Sequence, residues 1–247
     1  MTHHQTTYPP LNTLKPVADD LWIVDGPEIR FGMPGLKMPF PTRMTVIRLP
    51  GNRLFIHSPT PLTDGLVREI AGIGKPAFII GPNRIHYWWI PDWRTAFPGA
   101  EVWLAPRIAE QSKGRIDFPA RELTERGGYP WNAEIETLPV RGNYMTEVVF
   151  FHRPSRTLVL TDLIENFETR KLGLVGRWLT WLGSAQDPDG QMPRDMRMTY
   201  PREVLSEAVG TMIGWEPERV IVAHGRWYEK DGAEELRRAF RWLINRD

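Results

Sequence analysis

Short apolar runs rich in β-branched residues recur along the chain between clusters of Gly and Pro. Asp20–Asp25, Met44–Leu49 and Leu54–His57 read as strands, and Pro50-Gly-Asn-Arg53 closes the last two into a hairpin. Ala77–Ile80, Glu101–Ala105, Ile135–Val140, Glu147–Phe151, Thr157–Thr161 and Arg219–Ala223 have the same character. Helical spacing runs from Thr63 to about Ile73, with Leu66, Ile70 and Ile73 on one face, and again over Pro201–Ile213 and Asp231–Ile244. A short helix is expected through Trp93 to Phe97, and Pro106 suits the first position of another. Residues 26–42, with Gly26, Pro27, Gly32, Pro34, Gly35, Pro39 and Pro41, read as a loop. Residues 112–132 are loop-like, 164–200 read as a mobile stretch, and the polar, Pro-rich residues 1–16 read as a flexible arm.

Hairpins, then strand–helix alternation, then hairpins, then helix–strand–helix is the order of a layered α/β architecture with two sheets and helices outside. The expectation is one domain over 17–247, with 164–200 as a lid or insertion. No apolar run approaches the roughly 20 residues that span a bilayer. The first ten residues lack a basic region followed by an apolar core, so no secretory signal is read there and a cytoplasmic location is expected. Lys171–Leu182 is apolar at most positions and is flanked or interrupted by Arg170, Lys171 and Arg177. It reads either as an amphipathic helix in a membrane interface or as a lid or packing helix, and its shortness favours the second.

Charge narrows the partners. Lys and Arg total 31 against 30 Asp and Glu, a formal net charge of +1, which provides no basic footprint for nucleic acid. Cysteine is absent, which removes disulfides, thiolate metal sites and iron–sulfur clusters together, and fits a reducing compartment. The 11 tryptophans supply large aromatic contact area. Trp88, Trp89, Trp178 and Trp181 suggest an apolar small-molecule substrate or ligand under a Trp-rich lid.

Open α/β sheets place ligands beyond the carboxyl ends of their strands. Four such ends carry polar residues: Gly81-Pro-Asn-Arg-Ile-His86-Tyr87, Arg141-Gly-Asn143, Thr161-Asp162 and His224-Gly225. Two imidazoles and a carboxylate suit zinc, iron or manganese and leave positions open for water. Arg84, Arg141 and Arg226 are placed beside the same pocket. His57 and His152 read as structural hydrogen-bond partners. Ser58 lacks a Gly-x-Ser-x-Gly elbow and is discounted as a nucleophile.

These segments, with Phe97-Pro-Gly-Ala-Glu-Val-Trp-Leu-Ala105 and Leu158-Val-Leu-Thr-Asp162, resemble the metallo-β-lactamase fold over most of residues 17–245. Within that superfamily the chain looks like a bacterial branch that is a domain of unknown function. The resemblance implies an αββα sandwich of two mixed sheets with helices outside. It implies that Asp162 matches the metal-bridging aspartate and His224 the last histidine ligand. The family's T-H-x-H-x-D-H box falls on Gly81–Tyr87, where Pro82 and Arg84 replace the paired histidines, and Asn143 replaces a third. His86 takes the place of the box aspartate and Tyr87 that of its last histidine. The resemblance thus implies a degenerate, mononuclear site in a hydrolase, with His86, Asp162 and His224 on one divalent metal. Asp162, Asn143 and Tyr87 would serve catalysis, the last two by orienting water or substrate. The alternative is a non-catalytic descendant in which these histidines only hydrogen-bond and the old cleft binds a small molecule or a protein partner.

Overall fold

The computed structural model describes residues 6–33 and 36–244. Strands β1 (Lys15–Ala18) and β2 (Leu21–Asp25) open the chain, followed by a ribbon of β3 (Ile29–Met33) and β4 (Leu36–Phe40). Next come the hairpin β5 (Arg43–Leu49) and β6 (Arg53–His57), then α1 (Asp64–Ile73), β7 (Lys75–Gly81), α2 (Ile90–Ala96), β8 (Glu101–Leu104), α3 (Ile108–Ser112) and β9 (Arg121–Glu122). The second half holds β10 (Ile135–Arg141), β11 (Thr146–His152), β12 (Thr157–Val159), α4 (Leu174–Gly183), α5 (Arg194–Arg197) and α6 (Arg202–Gly214). It closes with β13 (Arg219–Ile221), α7 (Gly232–Ala239) and α8 (Arg241–Ile244).

Two mixed sheets face each other. The larger runs β1-β2-β5-β6-β7-β8-β9, antiparallel as far as β6 and parallel beyond it; the smaller runs β10-β11-β12-β13, with only the last pair parallel. Period-two alternation explains the layers. Along β11, Val148 and Phe150 join the core shared with the large sheet, while Val149 and Phe151 join a second core with α6 and α7. Val159 and Ile221 likewise point to the first core, and Leu158 and Val220 to the second. On the far side of the large sheet, α1 inserts Leu66 and Ile70, and α2 inserts Ile90 and Trp93. Both sheets are thus covered on both faces, which is why their strands read as continuous apolar runs.

Residues 26–42 are not a simple loop. Ile29, Phe31, Met38 and Phe40 alternate with polar or exposed positions in the β3–β4 ribbon, where Pro39 pairs with Arg30. A two-stranded ribbon has only edge strands, so proline is tolerated and the Gly/Pro count misleads. The part of the N-terminal arm that is described is held rather than loose: Thr6 Oγ1 donates to Glu28, Thr13 Oγ1 and Leu14 N donate to Glu69, and Lys15 pairs with Asp25. The stretch 164–200 contains α4 and α5, and Phe167, Leu172 and Ala185 form a small core there with Met38 and Phe40. The helix expected at Pro106 begins two residues later, after Arg107 in the left-handed region (φ 70°). The final helix breaks at the buried Phe240.

Candidate metal centre

The carboxyl ends of β6, β7, β12 and β13 lie on one edge of the sandwich. Each feeds one loop into the site: Ser58 after β6, Asn83 and His86 after β7, Thr161 and Asp162 after β12, and His224 after β13. His86 Nε2 lies 3.2 Å from Asp162 Oδ2, His224 Nε2 lies 3.2 Å from Asp162 Oδ1, and the two Nε2 atoms are 3.2 Å apart. Among the described residues this is the one His/Asp/Glu group of three or more whose atoms converge closely enough to hold an ion.

The tautomer of His224 follows from its other nitrogen. Nδ1 lies 2.7 Å from the carbonyl oxygen of Pro41, which can only accept, so Nδ1 carries the proton. In its neutral form His224 then aims a bare Nε2 lone pair at a carboxylate oxygen. The contact is relieved by an extra proton on the imidazole, by a proton donated from the neighbouring His86 Nε2, or by a metal ion held by all three residues. The same arrangement, with the far nitrogen anchored on a backbone carbonyl, is the usual support of a metal-ligating histidine. The donor set therefore fits a divalent ion. Burial disfavours charge on His224, but the hydrogen bond and charge of Asp162 outweigh it and raise the imidazole pKa. Burial likewise opposes ionisation of Asp162, yet the two imidazoles hold its carboxyl well below the usual range.

A further layer fixes these groups. Asn83 Nδ2 donates to Asp162 Oδ2 (2.5 Å) and to Thr161 Oγ1 (2.9 Å), while its Oδ1 accepts from the N–H groups of Ile85 and His86. One fully buried amide thus ties the loop carrying His86 to the loop carrying Asp162. Ser58, with φ 51°, places Oγ 2.7 Å from His86 Nδ1. It orients the imidazole, a role unrelated to the nucleophilic one discounted from sequence. Glu147 on β11 accepts from the N–H groups of Thr161, Asp162 and Leu163. Burial and the Asp162 charge push it up to about 7 against the pull of those donors. Gly225 (φ 97°) passes so close to the chain at Asn166 that a Cβ would sit 2.0 Å from the Asn166 carbonyl oxygen, so only glycine fits after His224.

Arg43 fastens this edge to the large sheet. It is buried, pairs with Asp25 (Nε to Oδ1, 2.9 Å) and donates Nη1 to the carbonyls of Val222 (2.6 Å) and Gly225 (2.9 Å), on either side of His224. From sequence, Asn83 stands out only as part of the segment after β7, with no role of its own, and Arg43 not at all. Arginine in a strand and asparagine after a Gly-Pro carry no distinctive spacing.

A cavity of about 450 Å³ opens over the three ligand atoms. Phe31, Met38 and Phe40 of the ribbon, Trp88 and Trp89, and Leu179 and Leu182 of α4 make its apolar walls. Glu165, half-buried on the wall, is pushed up to about 8, chiefly by burial and against the pull of His224.

Of the residues expected from sequence, His86, Asp162 and His224 are brought together. Tyr87 and Asn143 are not. Tyr87 OH donates to the Gln111 carbonyl, and Asn143 is exposed, with its carbonyl accepting from Arg107. Neither lines the cavity. Arg84, Arg141 and Arg226 also lie away from it: Arg84 binds Tyr144 and Gln111, Arg141 the Thr124 carbonyl, and Arg226 the Asp187 carboxylate. Pro82 and Arg84, which stand where the superfamily carries paired histidines, leave no second cluster among the described residues.

Solved structures share this arrangement of layers. A DIM-1 metallo-β-lactamase exposed to ceftazidime is similar over 94% of this chain and 96% of that one, at a TM-score of 0.64 and 14% identity. The mono-zinc form of the FIM-1 metallo-β-lactamase from Pseudomonas aeruginosa matches over 94% and 96%, at 0.57 and 10%. The flavodiiron core of Flv1 from Synechocystis matches 94% of this chain and 60% of its own, at 0.63 and 12%. The chain has a metallo-β-lactamase-like fold. Within it, residues 19–197 match the family described as Domain of unknown function (DUF4336), and the chain belongs to that family. Curated proteins give no sequence match.

Proposed function

We propose that the chain is a metal-dependent hydrolase working with one divalent ion held by His86 Nε2, Asp162 and His224 Nε2. The observation that carries this reading is the acceptor pair His224 Nε2 and Asp162 Oδ1, 3.2 Å apart with the imidazole proton committed to Pro41. Imidazole and carboxylate ligands suit zinc, iron or manganese. Such an ion, when bound, lowers the pKa of a coordinated water towards neutrality and polarises the substrate. The chain's own residues do the rest. Asn83, Ser58 and Glu147 hold the ligands in place, and Phe31, Phe40, Trp88 and Trp89 bind an apolar substrate and exclude bulk water. The enzyme binds its substrate beside the ligands, not at Tyr87 or Asn143.

A second reading is favoured by the apolar cavity itself. In it His224 carries the extra proton, no ion is used, and the cleft binds a small apolar molecule without turning it over.

Hydrolysis of a panel of aromatic esters, lactones and phosphodiesters separates the two. Turnover by the zinc- or manganese-loaded protein, lowered about a hundredfold or more by chelation and by Asp162→Asn, is the expected result. Binding of panel members with no turnover in any metal-loaded form supports the second reading.

A further inference from the structure

Helix α4 is amphipathic with its faces reversed. Leu174, Val175, Trp178, Trp181 and Leu182 recur at the spacing of one helix face, and that face is exposed: Leu174 is 84% accessible, Trp178 59% and Trp181 65%. The inward positions are Gly176 and Thr180, whose hydroxyl donates back to the Gly176 carbonyl. Small residues therefore let the helix lie down on Leu172, and the large apolar ones face outward. A surface helix that exists only to cover the cavity shows the opposite pattern. Met198, which follows α5, is also an exposed apolar side chain. The expectation of an ordinary lid or packing helix over 171–182 does not account for this face.

Its charges point to what covers it. Residues 169–186 contain Arg170, Lys171 and Arg177 and no acid. Arg170 and Lys171 are answered by Glu168, whereas Arg177, exposed, binds only the backbone carbonyls of Thr169 and Leu172. Arg194, at the start of α5, is exposed and contacts the Ser184 hydroxyl. The cations of Arg177 and Arg194 are thus without a carboxylate partner among the described residues. A second copy docked by twofold symmetry would set Arg177 against the same acid-free helix, the exposed Asp195 beside Arg194 being the one carboxylate on α5. An anionic lipid surface answers both features: tryptophan and leucine sit at the boundary of headgroups and acyl chains, and arginine meets the headgroup charge.

We infer that the outer face of α4 docks the protein on an anionic membrane surface. The adjoining edge of the same helix, through Leu179, Thr180 and Gly183, walls the cavity over His86, Asp162 and His224, and Leu182 lies at the border of the two faces, so docking sets the cavity mouth against the bilayer. The docking inference stands on exposure and charge and does not depend on the hydrolase reading.

The test is sedimentation of the full chain with vesicles of phosphatidylcholine alone and of phosphatidylcholine with about a quarter phosphatidylserine. The variants are Trp178→Ser with Trp181→Ser, and Arg177→Gln. Because these side chains are exposed, circular dichroism and melting should match the wild type. Binding to the anionic vesicles that falls on the order of tenfold in the double tryptophan variant, and that weakens with salt and in Arg177→Gln, is the expected result. Tryptophan fluorescence quenched by brominated lipid in the wild type gives the same answer independently. No partition to either vesicle, or equal partition by wild type and variants, overturns the inference. So does a dimer by light scattering that the tryptophan variant abolishes, which would assign the face to a second copy.

Discussion

His57 and His152 are buried imidazoles that the candidate site does not use. His57 Nε2 has no hydrogen-bond partner and the ring lies edge-on to Phe150, while His152 Nδ1 meets the Ser155 hydroxyl. Burial lowers His57 to about 3 and His152 to about 4. Both are therefore neutral in the folded state well below the pH at which an unfolded histidine gains its proton. The unfolded chain binds more protons between those values, so the stability each confers is intact above the ordinary histidine pKa and is lost as pH falls towards 4 and 3. His57→Leu should flatten the dependence of unfolding free energy on pH, measured by urea denaturation, by about 1.4 kcal/mol per pH unit between about pH 6 and pH 4. An unchanged slope would mean that His57 is not buried neutral. The sequence reading placed both histidines as structural, which holds for their location, but a missing partner such as that of His57 Nε2 depends on neighbours distant in sequence. The role of Asn83 is hidden for the same reason: two of its four side-chain hydrogen bonds reach Thr161 and Asp162, 78 and 79 residues away.

The strands of the two sheets were legible because they are buried on both faces, and each observed strand from β5 to β8 and from β10 to β13 falls on an apolar run. The β3–β4 ribbon was not, because its alternation is interrupted by Gly32 and Pro39, and only pairing between its own edges reveals it. The α4 segment was legible as amphipathic, but not the direction in which its apolar face points, since a helix reads the same from sequence whichever side is packed. The junction between the large sheet and the β13 loop rests on Arg43, whose guanidinium is shared between Asp25 and the carbonyls around His224. Arg43→Leu should cost roughly 3 kcal/mol in chemical denaturation, at the lower end for a broken buried pair because Lys15 still reaches Asp25. It should also weaken metal binding by loosening the His224 loop. A loss below about 1 kcal/mol, the range of an exposed pair, would show that the junction is held by packing alone.

In the whole molecule, two parallel strand pairs from different sheets, β6 with β7 and β12 with β13, end at one edge and deliver every ligand atom of the candidate centre. The order of strands along the chain, together with the superfamily resemblance, made Asp162 and His224 recognisable from sequence. His86 was placed by its offset within the loop after β7, and the structure sets its Nε2 beside both. Tyr87 and Asn143 follow from position in a superfamily pattern, and their side chains lie outside the cavity. The fold brings His86, Asp162 and His224 together, and these three residues carry the proposed chemistry. The direct measurement is metal content, by elemental mass spectrometry, of untagged protein purified without chelator and equilibrated with zinc, iron or manganese. It is made beside the His86→Ala, Asp162→Ala, His224→Ala triple variant. A single ion per chain in the wild type, lost in the variant while the fold is kept, is the predicted result. Metal-free wild type after equilibration, or equal metal in both proteins, would contradict it and leave His224 and Asp162 joined by a proton.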